Sequence, residues 1–320
     1  MLTAGLMSRA QQHVEETHVT ATTTYVVESD IAFDIDTVPD EDRERVAALI
    51  PDARLADAYV HRTVEYEGDG VEDFNLFDVA CDERENILLA GPTGSSKTTV
   101  FRAWAAARQM PFVLVECNAA MDPGVIIGRT TLTPQAEARF VYGDMSLVVA
   151  YGGCVLIDEI NMAHPRITAA FHQLLAVTRR MSVPEAGTTL IAGRGGMGAP
   201  QPTLFGAAYN PRYQGTVRLN EALSNRFAMP LDWDYDHGVE SQLVTSRSLL
   251  EAANNARALA EIRTPISTNA LMEYERHAQR LGMGLANRLF INRFAAEERG
   301  PVSRAFGGLR DSIAMELELS

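Results

Sequence analysis

Short apolar runs, bounded by glycine, proline or carboxylates, recur between residues 87 and 231 and then stop. They lie at 87–90, 111–117, 154–157, 203–209 and 228–231. Near-continuity without strict alternation predicts strands buried on both faces of a parallel sheet. Between the runs, segments 99–108, 145–150, 165–177 and 220–227 read as helices, and Ile167, Ala170, Phe171 and Leu174 share one helical face. Beyond Asp236 four helical patterns follow, at 239–262, 267–281, 284–298 and 301–318, with no strand signal. The fold class is therefore read as α/β: a parallel sheet flanked by helices, followed by a small all-helical unit.

The first third is less regular. Residues 20–27 have strand character, and the acidic stretch at 30–36 alternates with apolar positions. A helix is expected at 40–50, stopped before Pro51, then a strand at 59–66, a turn at 67–70 and a helix at 71–81. Glycine punctuates 124–143, which predicts a hairpin or short insertion. A second hairpin is expected at 181–191, and a mobile loop at 193–198. The expected domains are an N-terminal extension at 1–69, a core at 70–236 and a helical unit at 237–320.

The run at 87–90 leads into Gly91-Pro-Thr-Gly-Ser-Ser-Lys-Thr98, with helix-prone residues from Thr99 onward. Strand, glycine-containing loop and helix form the context of a phosphate-binding P-loop. Gly91 and Gly94 let the backbone wrap tightly around Pro92, so that N–H groups of Thr93, Gly94, Ser95 and Ser96 can face phosphate oxygens. The positive end of the helix opening at Lys97, Thr98 and Thr99 adds to the same field. Lys97 is expected to reach the β- and γ-phosphates of ATP, and the Thr98 hydroxyl to ligate magnesium. Ser96 stands where the motif has its last glycine, and fits if the backbone there is already helical. Lys97 is the only lysine, for 27 of the 28 basic residues are arginine. A P-loop needs a compact ammonium on a flexible stem, so this is the one position where arginine would not serve.

At 153–159 an apolar run ends in Asp158 and Glu159, which places both acids at the carboxyl end of a buried strand, where ligands bind in open α/β sheets. Asp158 is expected to hold magnesium through its water shell and Glu159 to polarise the attacking water. The alternative is an acidic cap for the next helix. Asn210 ends the run at 203–209, placed to hydrogen-bond the lytic water or γ-phosphate, or else to form an Asx turn before Pro211. Arg226 closes the helix at 220–227, where the residues alone leave a helix-end arginine satisfying carbonyls and a catalytic arginine evenly weighed.

Composition narrows the function class. A net charge of −14 argues against broad binding to nucleic acid. Cys81, Cys117 and Cys154 have neither metal-ligand spacing nor a disulfide framework. No membrane span or signal-peptide core is evident, so a cytoplasmic location is expected.

Four stretches, GPTGSSKT, CVLIDEIN, FGAAYNP and EALSNRFAMPLDWDY, resemble the AAA+ ATPases in order and their MoxR-type branch in spacing; that branch includes the ATPase subunit of aerobic cobaltochelatase. The resemblance covers residues 70–300. It implies an AAA+ core with a helical lid, ATP and Mg2+ as cofactors, and a homo-oligomeric ring, expected to be a hexamer. It further implies Asn210 as the sensor asparagine and Arg226 as the arginine finger reaching the neighbouring subunit's γ-phosphate. The segments at 124–143 and 181–191 resemble that branch's pore-facing insertion and hairpin. Asn269 departs from the pattern, standing where relatives carry a γ-phosphate-sensing lid arginine; Arg276, Arg288 or a neighbouring subunit would then supply the charge. The first functional reading is an ATP-hydrolysing ring motor that remodels a protein partner, such as a von Willebrand A-domain protein, or assists metal insertion. A nucleic-acid motor, drawing on Arg129, Arg139 and Arg194, and a weakly active nucleotide-binding scaffold are the alternatives.

Overall fold

The computed structural model describes residues 31–66, 69–118, 121–132, 136–163, 165–194, 200–211, 219 and 221–318. The expected strand at 20–27, His164 and most of the loop at 193–198 lie outside these residues.

The described chain opens with a 3₁₀ segment (Ile35–Thr37) and helix α1 (Asp40–Ala48), then a single helical turn (Arg54–Asp57), an antiparallel hairpin, β1 (Thr63–Tyr66) and β2 (Asp69–Glu72), and helix α2 (Asp73–Asp82). The expected strand at 59–66 thus begins only at Thr63. Just before it the chain is anchored by side chains instead: the buried Asp73 carboxylate accepts from the Tyr59 hydroxyl at 2.6 Å and the Arg62 backbone N–H at 3.1 Å.

The core follows as β3 (Asn86–Ala90), α3 (Lys97–Ala107), β4 (Phe112–Glu116), the hairpin β5 (Gly128–Leu132) and β6 (Ala138–Tyr142), α4 (Asp144–Tyr151), β7 (Gly153–Asp158), α5 (Pro165–Leu174), the hairpin β8 (Arg180–Val183) and β9 (Thr188–Ile191), β10 (Thr203–Tyr209) and β11 (Met229–Asp232). Both expected hairpins are present. Five strands form one parallel sheet in the order β11-β3-β10-β7-β4. The continuous apolar runs have a direct physical reason. Leu88, Val155, Ile157, Phe205 and Ala207 point into one core, with Met145, Val148, Ile167 and Phe171. Their neighbours Ile87, Leu89, Cys154, Leu156 and Leu204 point into the opposite core, with Phe77, Phe101 and Trp104. Each buried Val, Leu, Ile, Phe or Met side chain among them contributes about 1.5–3 kcal/mol relative to exposure. Buried Asp78 ties α2 to α3, accepting from Trp104 Nε1 at 2.8 Å and pairing with Arg108.

The order brings the chemistry to one edge. β3 and β4 are consecutive along this sheet's chain yet separated in it by β10 and β7, while β11 lies on the other side of β3, so the crevice at the carboxyl end of β3, beside β10, is a topological switch point. Register aligns Asp158 with Ala208, and Tyr209 and Asp232 with Ala90. Gly91 N–H donates to the Tyr209 carbonyl at 3.1 Å and Trp233 N–H to the Ala90 carbonyl at 2.7 Å.

The C-terminal helices have a core of their own, built from Leu249, Leu271, Tyr274, Phe290, Val302 and Phe306 among others. Where four helices were expected there are six: α6 (His237–Leu243), α7 (Arg247–Arg257), α8 (Thr268–Leu281), α9 (Met283–Ile291), α10 (Arg299–Gly307) and α11 (Arg310–Glu316). The first expected helix divides because Ser246 caps α7, accepting from Leu249 N–H. The buried Glu275 carboxylate accepts from Thr245 N–H at 3.1 Å and Ser246 N–H at 2.7 Å, stabilising the break. The last divides at Gly307-Gly308. No helix among the described residues is long and apolar enough to cross a membrane.

Glu275→Ala would leave two N–H groups at the start of α7 without their acceptor, a loss of about 2–4 kcal/mol. Urea unfolding followed by far-UV circular dichroism measures it; an unchanged midpoint would show that solvent replaces the carboxylate.

Candidate functional site

The P-loop leaves β3 between two neighbours that leave it no room for side chains. A Cβ on Gly91 would lie 1.9 Å from the Trp233 carbonyl oxygen, and one on Gly94, where φ is +77°, 2.4 Å from Ser267 Cβ. Ser95 Oγ closes the turn on the Pro92 carbonyl at 2.9 Å. Lys97 is buried, its Nζ donating to the carbonyls of Gly91 at 2.9 Å and Pro92 at 2.6 Å. Burial pulls its pKa below the usual lysine value, opposed by the nearby charges of Asp158, Glu159 and Asp234.

The other predicted residues converge on the same edge. Thr98 Oγ1 donates to Asp158 Oδ2 at 2.9 Å, across 60 residues of chain. Two hard oxygen donors side by side are what a magnesium ion takes, so this pair fits that metal. Glu159 N–H donates to Asp158 Oδ1 at 2.9 Å. The Glu159 backbone is left-handed, with φ 50°, and turns the chain out of β7 into a short 3₁₀ segment, Ile160–Met162. Its side chain is exposed and makes no capping bond, and α5 begins only at Pro165, so the helix-cap alternative is not what this residue does. Asn210 Nδ2 donates to Thr93 Oγ1 at 3.3 Å, bridging the end of β10 to the P-loop. Thr99 is exposed on the first turn of α3.

Ser96 departs from expectation. Its backbone is left-handed rather than helical, with φ 70° and ψ 18°, and it stands as the residue capping α3. The motif has glycine there because a Cβ in that region costs about 1–2 kcal/mol. The chain keeps the backbone shape and bears the strain.

Arg226 lies apart from this cluster. Its backbone carbonyl accepts from Asn86 Nδ2 at 2.7 Å, which fixes it beside the first residue of β3. The P-loop starts at the other end of that strand, about 16 Å away at ~3.3 Å per residue. The exposed guanidinium has no hydrogen-bond or ion-pair partner among the described residues, so it does not satisfy helix-end carbonyls. Asn269, Arg276 and Arg288 are all exposed.

Sequence reasoning missed Tyr235 and Ser267. The Tyr235 hydroxyl donates to the Thr93 carbonyl at 2.8 Å, and Ser267 abuts Gly94. A tyrosine in a linker and a helix-capping serine carry no signal that distinguishes these contacts.

A P-loop at a switch point of this sheet, with an acid pair at the end of β7 one strand beyond β10 and a helical unit behind it, is the arrangement of an AAA+ core with its lid. The family model of the AAA domain, dynein-related subfamily, matches residues 86–227. Protein YojN of Bacillus subtilis is 30% identical over 259 residues, covering 72% of this chain and 82% of YojN. An uncharacterized protein of Staphylococcus aureus strain USA300 is 30% identical over 200 residues, 61% of this chain and 73% of that protein. A solved chain from Cytophaga hutchinsonii, an ATPase candidate, aligns at 16% identity and TM-score 0.41, covering 76% and 88% of the two chains. The chain belongs to the AAA domain proteins of the dynein-related subfamily, an ATPase-type, nucleotide-binding class.

Ser96→Gly is expected to raise stability by about 1 kcal/mol, since glycine tolerates the left-handed backbone. Ser96→Ala should bring no gain. Urea midpoints in the order glycine, serine, alanine support the strain; alanine matching glycine would refute it.

Proposed function

We propose that the protein is an ATP hydrolase of MoxR type, assembling as a ring, expected to be a hexamer, that remodels a protein partner. The observation carrying this reading is the meeting of Lys97, Thr98, Asp158, Glu159 and Asn210 at one sheet edge. Lys97, with the N–H groups from Thr93 to Thr99, holds the phosphates; to take the ammonium, they replace the carbonyls of Gly91 and Pro92. Thr98 and Asp158 hold Mg2+, which when bound offsets charge on the β- and γ-phosphates. Glu159, exposed beside Asp158, accepts a proton from the attacking water, and Asn210 orients that water or the γ-phosphate.

Arg226 sits too far from its own P-loop to serve it. Its exposed guanidinium, without a partner among the described residues, supports a finger acting on the next subunit, in line with a ring. The division at about residues 69 and 236 into extension, core and lid belongs to the same proposal, as does a cytoplasmic location. For the client, a protein is favoured over nucleic acid. Arg139 is engaged by Glu41 at 3.5 Å, while Val125, Leu132 and Val141 on the insertion are 65%, 74% and 38% exposed, an apolar grip rather than a basic path. A von Willebrand A-domain protein, or a protein receiving a metal, are the client types that the family resemblance suggests.

The trans role has a decisive test in mixing. Arg226→Ala should lose about 10³- to 10⁵-fold in turnover while keeping nucleotide binding. Lys97→Ala should lose binding. Mixed rings place an intact P-loop against an intact finger at some interfaces, so two inactive proteins should regain partial ATPase activity together. Co-assembly without recovery would remove Arg226 from the reaction.

A further inference from the structure

A cleft of ≈ 1040 Å³ separates the P-loop from the C-terminal helices, with Pro92, Asn210, Tyr235, Arg257 and Ile266 among its walls. Tyr235 lies in the short connection from β11 to α6 and ties the loop to the helical unit by a hydrogen bond. Its hydroxyl donates to the Thr93 carbonyl at 2.8 Å, while the Thr93 hydroxyl accepts from Asn210 at 3.3 Å. One P-loop residue is thus held from the sheet edge and from the lid connection at once.

The far side of Tyr235 is stiff. The Arg257 guanidinium lies over its ring, 4.0 Å from the centroid. Arg257 is fixed by two bonds to the buried Glu240 carboxylate, at 2.8 and 2.7 Å, and by two to the Ile266 carbonyl, at 3.0 and 2.7 Å. Glu240 also accepts from Thr268 Oγ1 at 2.8 Å, at the first residue of α8. The residue before it, Ser267, presses on Gly94. The path therefore runs from Thr93 through Tyr235, Arg257 and Glu240 to the start of α8, and returns to the P-loop at Gly94. Its charged bonds are buried and bidentate, and the neutral hydroxyl–carbonyl bond to Thr93 is its weakest link.

We infer that Tyr235 is a positioning residue that couples occupancy of the P-loop to the placement of the C-terminal helices. The inference rests on the proposal that this loop binds ATP. Phosphates that take Lys97 free the carbonyls of Gly91 and Pro92, the two residues before Thr93. The Thr93 carbonyl turns with them, the acceptor of Tyr235 moves, and α8 shifts through the rigid Arg257–Glu240 pair. Burial pushes the Tyr235 hydroxyl up to about 12, so it remains a donor throughout the range in which the protein would work.

The test uses the full chain, hydrogen exchange and Tyr235→Phe, which removes one oxygen and keeps the ring under Arg257. The probe is ATPγS with Mg2+. In the unsubstituted protein the probe should slow exchange at 91–99 and alter it at 244–250 and 268–272. In Tyr235→Phe the slowing at 91–99 should persist, and the response at 268–272 should fall about fivefold or more. Arg257→Lys, which keeps the charge on Glu240 but loses the planar stack, should show the same loss. A tyrosine with only a structural role would lower the unfolding midpoint and leave the response intact. An undiminished response at 268–272 in Tyr235→Phe, with slowing at 91–99 retained, overturns the coupling alone. No slowing at 91–99 in the unsubstituted protein overturns the ATP reading, and the coupling with it.

Discussion

A buried ammonium must be satisfied, and around Lys97 no described carboxylate lies within ion-pair distance. Its charge is met instead by two carbonyls of the loop that precedes it. That requirement dictates much of the surrounding form. The loop must double back far enough to aim the Gly91 and Pro92 carbonyls at its own lysine, so Ser95 closes it on Pro92, Gly94 takes a left-handed turn and Ser96 is driven into another. Carbonyls neutralise a cation weakly, because desolvation is only partly repaid. The downward pull on the Lys97 pKa has that cause. An anion with several oxygens would compensate better, so the loop is poised for phosphate by the same feature that leaves it strained.

The sheet supplies the rest of the constraint. Because β10 and β7 lie between β3 and β4, the ends of β3, β7 and β10 are adjacent, and residues 60 to 117 apart in sequence touch there. The helical unit then closes over this edge through Tyr235 and Ser267, contacts made to the loop itself. Arg226 is held at the opposite end of β3 from the loop, its carbonyl bonded to Asn86. The proposed trans role of Arg226 follows from that separation, since a group at the far end of β3 would meet a P-loop only on a second copy of the chain.

Much of this was legible in the residues. The five apolar runs became the five strands of the sheet, since parallel strands covered on both faces cannot alternate. The lone lysine among arginines marked the P-loop, and Asp158-Glu159 marked the end of β7 at the same sheet edge. Two kinds of feature were not legible. Helix breaks at Ser246 and Gly307 depend on a distant buried acceptor, Glu275, and on a glycine pair that helical periodicity overrides. The backbone at Ser96 was misread because a small side chain suggests tolerance, whereas φ is imposed by the loop on both sides. Tyr235 acts through a carbonyl, a partner that leaves no trace in residue type.

The central claim is that the edge formed by Lys97, Asp158 and Glu159 binds ATP and cleaves it by activating water. Phosphate release and nucleotide binding, measured together on Glu159→Gln, test it most directly. The amide can still accept and donate hydrogen bonds but cannot take the water's proton. Binding of Mg2+ and ATP near the unsubstituted affinity, with turnover reduced by about 10²-fold or more, is the predicted result. Turnover at the unsubstituted rate would contradict the account.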